Sequence, residues 1–146
     1  MVRRAPTDLE KLIAAADKAM AAEKVSARDL PQDRLFAILM ARLDALQAKR
    51  TITLDVIQSI RTQPPLLAKL APLLLNSMKS ALKQAGLAKS EPRLTAQAAG
   101  LLAAYGLTLR AWEKDTTSDL SSTMRALDQN LQRAAKIATW LGFEAA

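Results

Sequence analysis

Leucine and alanine recur at steps of three and four residues along most of this chain, and that spacing places them on single faces of α-helices. Strands are correspondingly starved. Aromatic residues make up only 3% of the sequence and there are 4 glycines, whereas apolar residues reach 50% and are mostly Leu and Ala, the best helix formers among them. At 146 residues the chain is sized for one domain with one core, and residues 1–146 are read as a single helical domain.

The six prolines punctuate the pattern. Pro6 followed by Thr7-Asp8-Leu9-Glu10 announces a first helix in which Thr7 caps and Glu10 reaches back to it. Leu9, Leu12, Ile13, Ala16 and Met20 share one face. Pro31 suits the first turn of a second helix running to about Lys49, with Leu35, Ile38, Leu39, Leu43 and Leu46 as its stripe. Asp33, Arg34, Asp44 and Gln47 are left for water. A third helix spans roughly Ile52 to Arg61. A fourth runs from about Leu66 to Gln84 and is closed by Gly86 in a left-handed cap, with Pro72 expected to kink or split it.

A fifth helix extends from Pro92 to about Lys114, and a sixth, capped within Thr117-Ser118-Asp119, continues to about Leu141. Six helices and no strand make an all-α bundle. The sixth carries the most regular seam, with Leu120, Met124, Leu127, Leu131, Ala134, Ala138 and Leu141 alternating steps of four and three. Such a seam is core in most bundles, but repeated Leu and Ala also make a self-complementary face, and two-fold dimers are the commonest oligomers.

The chain has 0 Cys and 0 His, which removes disulfides, thiolate nucleophiles, imidazole acid–base chemistry and the usual transition-metal ligands; no metal and no cofactor is expected. Glu113, Asp115, Asp119 and Asp128 are the nearest approach to a carboxylate cluster, and their places at helix ends and turns suit capping better than paired acid–base work. No motif combines a nucleophile, a base and an orienting group, so an enzyme is not expected.

The formal charge is +7, and Arg61, Lys69, Lys79, Lys83 and Lys89 fall in a stretch without a carboxylate. Without interleaved aromatics these cations read as a solvated face rather than a nucleic-acid interface. Arg42, at the edge of the second helix's stripe, is placed for its guanidinium to be partly buried and then calls for a carboxylate partner. Asn76, Ser77, Ser80, Tyr105 and Thr108 interrupt apolar helices in the manner of a hydrophobic cavity with a few orienting hydrogen bonds. No apolar run approaches the roughly 20 residues needed to span a bilayer, and a cytoplasmic location is expected.

Asp33-Arg34-Leu35-Phe36 with Leu39-Met40-Ala41-Arg42-Leu43-Asp44-Ala45-Leu46, and later Trp112, Asp115, Asp119-Leu120, Thr123 to Asp128 and Leu131, resemble the regulatory domain of a TetR-like subgroup. The same stretches also resemble the lipid-binding accessory family of coenzyme Q biosynthesis. The resemblance covers about Leu9 to Trp140. It implies a homodimeric domain with a pocket among its middle helices for a small hydrophobic or amphipathic ligand, and a two-fold interface on the last two helices.

Only Met1 to Pro6 precede the matching region, so the resemblance implies a domain without its own DNA-binding unit. Size, apolarity and position nominate Phe36, Met40, Leu74, Met78, Leu102 and Tyr105 for the pocket. Leu120, Leu127, Leu131, Ala134 and Ala138 are nominated for the dimer interface. Two alternatives stand beside this reading. One is a lipid-binding accessory protein whose final segment, with Trp140 and Phe143, touches a membrane surface. The other is a protein-interaction module that pairs with a full-length relative.

Overall fold

The computed structural model describes the backbone of residues 4–140 and side chains between 9 and 138. Within them are six α-helices and no strand: α1 (Arg4–Ala22), α2 (Pro31–Ala48), α3 (Arg50–Thr62), α4 (Pro64–Ala85), α5 (Arg93–Lys114) and α6 (Ser121–Trp140). The protein is an all-α bundle. Helix α5 makes its broadest contact with α6, α1 lies along α2, and α4 is wedged between α2 and α5, while α3 leans on α1, α2 and α4.

The starts and stops follow local chemistry. Pro31 and Pro64 occupy first-turn positions, where the N–H they lack would have no helical partner. Gly86 ends α4 with φ 81°, and a Cβ there would come within 3.0 Å of Arg34 Nη2, so both backbone and neighbour ask for glycine. Helix α1 begins at Arg4, upstream of Thr7, which is therefore not its cap. Helix α4 is not split: it runs unbroken through Pro72. Pro72 is exposed, as is Ala68 one turn earlier, so the carbonyl freed by the missing N–H faces water, and packing on α2 and α5 offsets the proline's cost of about 3 kcal/mol.

Several helix ends are closed by side chains far away in sequence. Arg34, expected to face water, donates through Nε to the carbonyl of Ala85 at the end of α4 and through Nη1 to those of Asp29, Ser26 and Ala27. Gln84 donates to the carbonyls of Met20, in the last turn of α1, and of Glu23, just past its end. Arg50 donates to the carbonyls of Trp112 and Glu113 at the end of α5 and stacks 4.4 Å above the Trp112 ring. Gln47, also expected to face water, accepts from Trp112 Nε1.

The core gathers the stripes of all six helices, with Ile38, Leu39, Leu43, Met78, Trp112 and Leu127 completely enclosed. This corrects part of the expected dimer face. Leu120 and Leu127 are 4% and 0% exposed within one chain, because the first half of the α6 seam closes on the chain's own α5 and α2. Leu131, Ala134 and Ala138, further along α6, remain partly exposed. Trp140 ends α6, but its side chain and Phe143 lie outside the described residues.

Candidate functional site

Between α1, α3, α4 and α5 the bundle does not close. A half-open cavity of about 1100 Å³ follows α5 from Ala99 to Lys114, about 22 Å of helix at 1.5 Å per residue. Its walls are aliphatic: Leu9, Leu12 and Ile13 from α1; Val56, Ile57 and Ile60 from α3; Leu67, Leu70 and Leu74 from α4; Leu102 and Leu109 from α5. Along α5 the small residues Ala99, Ala103 and Gly106 are exposed on the cavity side and keep that wall low.

Three buried polar residues line this apolar hollow: Thr53 of α3, whose hydroxyl is spent on the carbonyls of Leu46 and Lys49, and Arg42 and Tyr105, which meet. Arg42 from α2 is 2% exposed, and its Nη1 reaches Asp17 Oδ1 of α1 at 2.6 Å while its Nε donates to Tyr105 Oη of α5 at 3.0 Å. The carboxylate that the sequence demanded for Arg42 is thus Asp17. Ser77 Oγ of α4 donates to the same carboxylate oxygen, so four helices meet at one polar knot. Burial works against the charge of Arg42, but Tyr105 and Asp17 outweigh it and hold the guanidinium above its ordinary value. Burial likewise pushes the Tyr105 phenol up, against the pull of Arg42, so it keeps its proton at neutral pH.

The rim is charged. Arg61 of α3 pairs with Glu113 of α5 across the opening, and Arg110 and Lys114 stand exposed beside them. The stretch that contained no carboxylate finds its acids in space, Arg61 at Glu113 and Lys79 at Glu91.

Of the six residues nominated for a pocket, Leu74, Leu102 and Tyr105 line this cavity together. Met40 and Met78 do not: they are 9% and 0% exposed and fill closed core. Phe36 lies elsewhere, in a second hollow of about 800 Å³ bounded by α2, the turn after α4, α5 and α6. There it is joined by Leu131, Ala134 and Ala138, three of the residues nominated for a dimer, and by Ile137, which is 58% exposed and was not nominated. Among the scattered polar residues only Tyr105 faces the cavity. Thr108 turns toward α6 to accept from Asn130 and donate to the carbonyl of Ala104, while Asn76 and Ser80 are exposed.

The acidic residues near the end of α5 serve α6. Asp115 Oδ2 accepts from the backbone N–H of Thr123 at 2.8 Å and from its hydroxyl at 2.6 Å, capping α6 from outside, and Oδ1 accepts from the backbone and hydroxyl of Thr117. Burial works to raise this carboxyl, but the hydrogen bonds from Thr117 and Thr123 prevail and lower it from 3.8 to about 2.

Sequence reasoning missed α3 as a wall. Val56, Ile57 and Ile60 recur at helical spacing, a signal that could have nominated them. Among the described residues no group of three or more Asp and Glu is placed to hold a metal, and no helix is long and apolar enough to cross a membrane. Comparison with family models, with characterised proteins and with solved structures finds no match to this chain.

Proposed function

We propose that this chain is a binding domain that takes up a small apolar or amphipathic molecule between α1, α3, α4 and α5. The observation that carries the reading is the cavity: about 1100 Å³, walled by aliphatic side chains and holding a polar knot in its depth, larger than the hollow of about 800 Å³ between α2, α5 and α6. Ligand sites are commonly of this size and composition, mostly apolar with a few placed polar groups. Leaving so many leucine and isoleucine side chains against an open hollow forgoes packing that a chain selected for stability alone would make, at roughly 25 cal/mol for each Å² of apolar surface.

The resemblance of the Asp33–Leu46 and Trp112–Leu131 stretches to a TetR-like regulatory domain leads to the same reading. That reading also makes the chain a homodimer. Pairing through α6 would draw on Leu131, Ala134, Ile137 and Ala138, since Leu120 and Leu127 are taken up by the chain's own core.

The test is saturation binding of the neutral fluorophore N-phenylnaphthylamine, followed by fluorescence, with native mass spectrometry reporting oligomeric state and any co-purified molecule. Wild-type protein is expected to bind the probe saturably, and Leu102→Trp, which puts an indole into the hollow, to lose at least about tenfold in affinity while keeping its thermal midpoint. Undiminished binding in Leu102→Trp would remove the cavity from the account. A bare monomer in the mass spectrum would remove the homodimer.

A further inference from the structure

The polar knot in the cavity is not fully spent on itself, and what it leaves over describes the ligand. Arg42 offers five N–H groups. Nε serves Tyr105 Oη, and Nη1 serves Asp17 Oδ1 with Met20 Sδ nearby at 3.9 Å. Nη2 has no partner among the described residues. No fully enclosed side-chain nitrogen or oxygen among them lacks a hydrogen bond, so Nη2 meets open space, and the open space that Arg42 borders is the cavity. Tyr105 Oη accepts from Arg42, but its own proton finds no acceptor among the described residues, and Tyr105 also lines the cavity. Two donors on adjacent groups, one from a residue 2% exposed and one from a residue 3% exposed, thus adjoin a hollow whose walls are aliphatic below its charged rim.

Charge decides which acceptor suits them. Arg42 is already neutralised by Asp17 at 2.6 Å, so the knot as a whole carries no net charge. A ligand carboxylate brought to Nη2 would face the Asp17 carboxylate across one guanidinium whose charge Asp17 already balances, and two like charges that close repel even though Asp17 itself is 44% exposed to water. A carbonyl oxygen brings two lone pairs and no charge, which matches two donors and a balanced ion pair.

Resting on the cavity as the binding site, we infer that the ligand is an uncharged amphiphile carrying a carbonyl oxygen flanked by apolar chain, a ketone, ester or amide, with that oxygen received by Arg42 Nη2 and the Tyr105 hydroxyl. An apolar chain without the oxygen would strip the two donors of water and give them nothing in return, which is how buried polar groups reject an isostere.

The experiment is displacement of bound N-phenylnaphthylamine by three competitors of equal chain length: a mid-chain ketone, the n-alkane and the n-alkanoate. Wild-type protein is expected to take the ketone about tenfold more tightly than the alkane, equivalent to about 1.4 kcal/mol, and more tightly than the alkanoate. In Tyr105→Phe, which keeps the ring and removes the hydroxyl, the ketone should lose most of that advantage while the alkane is unchanged. Equal affinity for ketone and alkane, or a preference indifferent to Tyr105→Phe, overturns the inference and leaves the cavity a nonselective apolar site. An alkanoate that binds most tightly overturns it in favour of an acidic ligand. Failure of the fluorophore itself to bind wild-type protein removes both this inference and the binding function. Thermal midpoints of wild type and Tyr105→Phe establish that the variant is folded, and Tyr105→Trp, which refills the ring volume without a hydroxyl at that position, repeats the comparison should Tyr105→Phe unfold.

Discussion

Helix α5 packs on α4 and α6 and faces α3 across the cavity, and α6 and α3 treat it in opposite ways. On one side α6 is packed down until Leu127 and Thr123 are 0% exposed and even a buried polar pair, Asn130 on Thr108, is satisfied at 3.0 Å. On the other side α3 stands off, leaving Leu102 and Leu109, which rest on the core with one side, to face a cavity of about 1100 Å³ with the other. Leucines occur on both flanks. What differs is their bracing: α6 is tied to the end of α5 through Asp115, whereas α3 reaches it through the long side chains of Arg50 and Arg61. Stability belongs to one flank, and the proposed binding function to the other.

The largest effect is expected from truncating the same residue type on each side. Leu127→Ala removes a fully enclosed side chain and should cost about 3 kcal/mol, within the usual range of 2–5 for buried leucines. Leu102→Ala enlarges a hollow that already exists and should cost less than about 1 kcal/mol. Urea unfolding at matched m-values measures both. Similar losses at the two sites would mean that the cavity closes in solution and that the contrast between the flanks is false.

Asp115 offers the next largest effect and carries a pH signature. Asp115→Asn leaves fewer acceptor sites for Thr117 and Thr123 and weakens the N-terminal cap of α6, at an expected cost of about 2 kcal/mol at neutral pH. The folded-state carboxyl is depressed from 3.8 to about 2, so its contribution is fully present above the unfolded value and is lost as pH falls through the folded one. The stability gap between wild type and Asp115→Asn should therefore hold from neutral pH down to about 4 and shrink between about 4 and 2. A gap that stays constant through that interval would show that Asp115 acts through shape alone.

How much of this was legible in the sequence differs between the two flanks. Helix positions were, because proline at a first turn and glycine after a last one act on the backbone within a few residues, as at Pro31 and Gly86. The ion pair of Arg42 was also legible, since a cation at the edge of an apolar stripe has to be neutralised, though nothing local pointed to Asp17. The α6 seam was half legible: periodicity says that a face is buried but not against what, and Leu120 and Leu127 turned out to face their own chain. Leu120 also adopts a left-handed φ of 58°, a conformation costly for a bulky residue that only its burial in the finished fold sustains. The cavity was the least legible part. A hollow is a side chain that is not there, and Leu101 in the core and Leu102 on the cavity wall are adjacent residues of one type, separated only by which way α5 turns them.

The smallest expected effect on stability tests how α3 is held. Arg61 is 52% exposed, and ion pairs of that kind contribute about 0.2–1 kcal/mol, so Arg61→Gln should leave the urea midpoint nearly unchanged. Yet the Arg61–Glu113 pair spans the opening between the two helices that frame the cavity, and a molecule leaving the hollow there must pass it. Stopped-flow release of N-phenylnaphthylamine from Arg61→Gln is expected to be severalfold faster than from wild type, because a tie that adds little to folding still has to break before α3 and α5 can part. Raising the salt concentration should speed wild-type release toward the variant's rate, since a pair this exposed is screened as the Debye length falls from about 10 Å at 0.1 M to 3 Å at 1 M. Release that is equally fast in both proteins at low salt would mean that α3 is held by its apolar contacts with α1, α2 and α4 alone, and that the exit lies along the low wall of Ala99, Ala103 and Gly106.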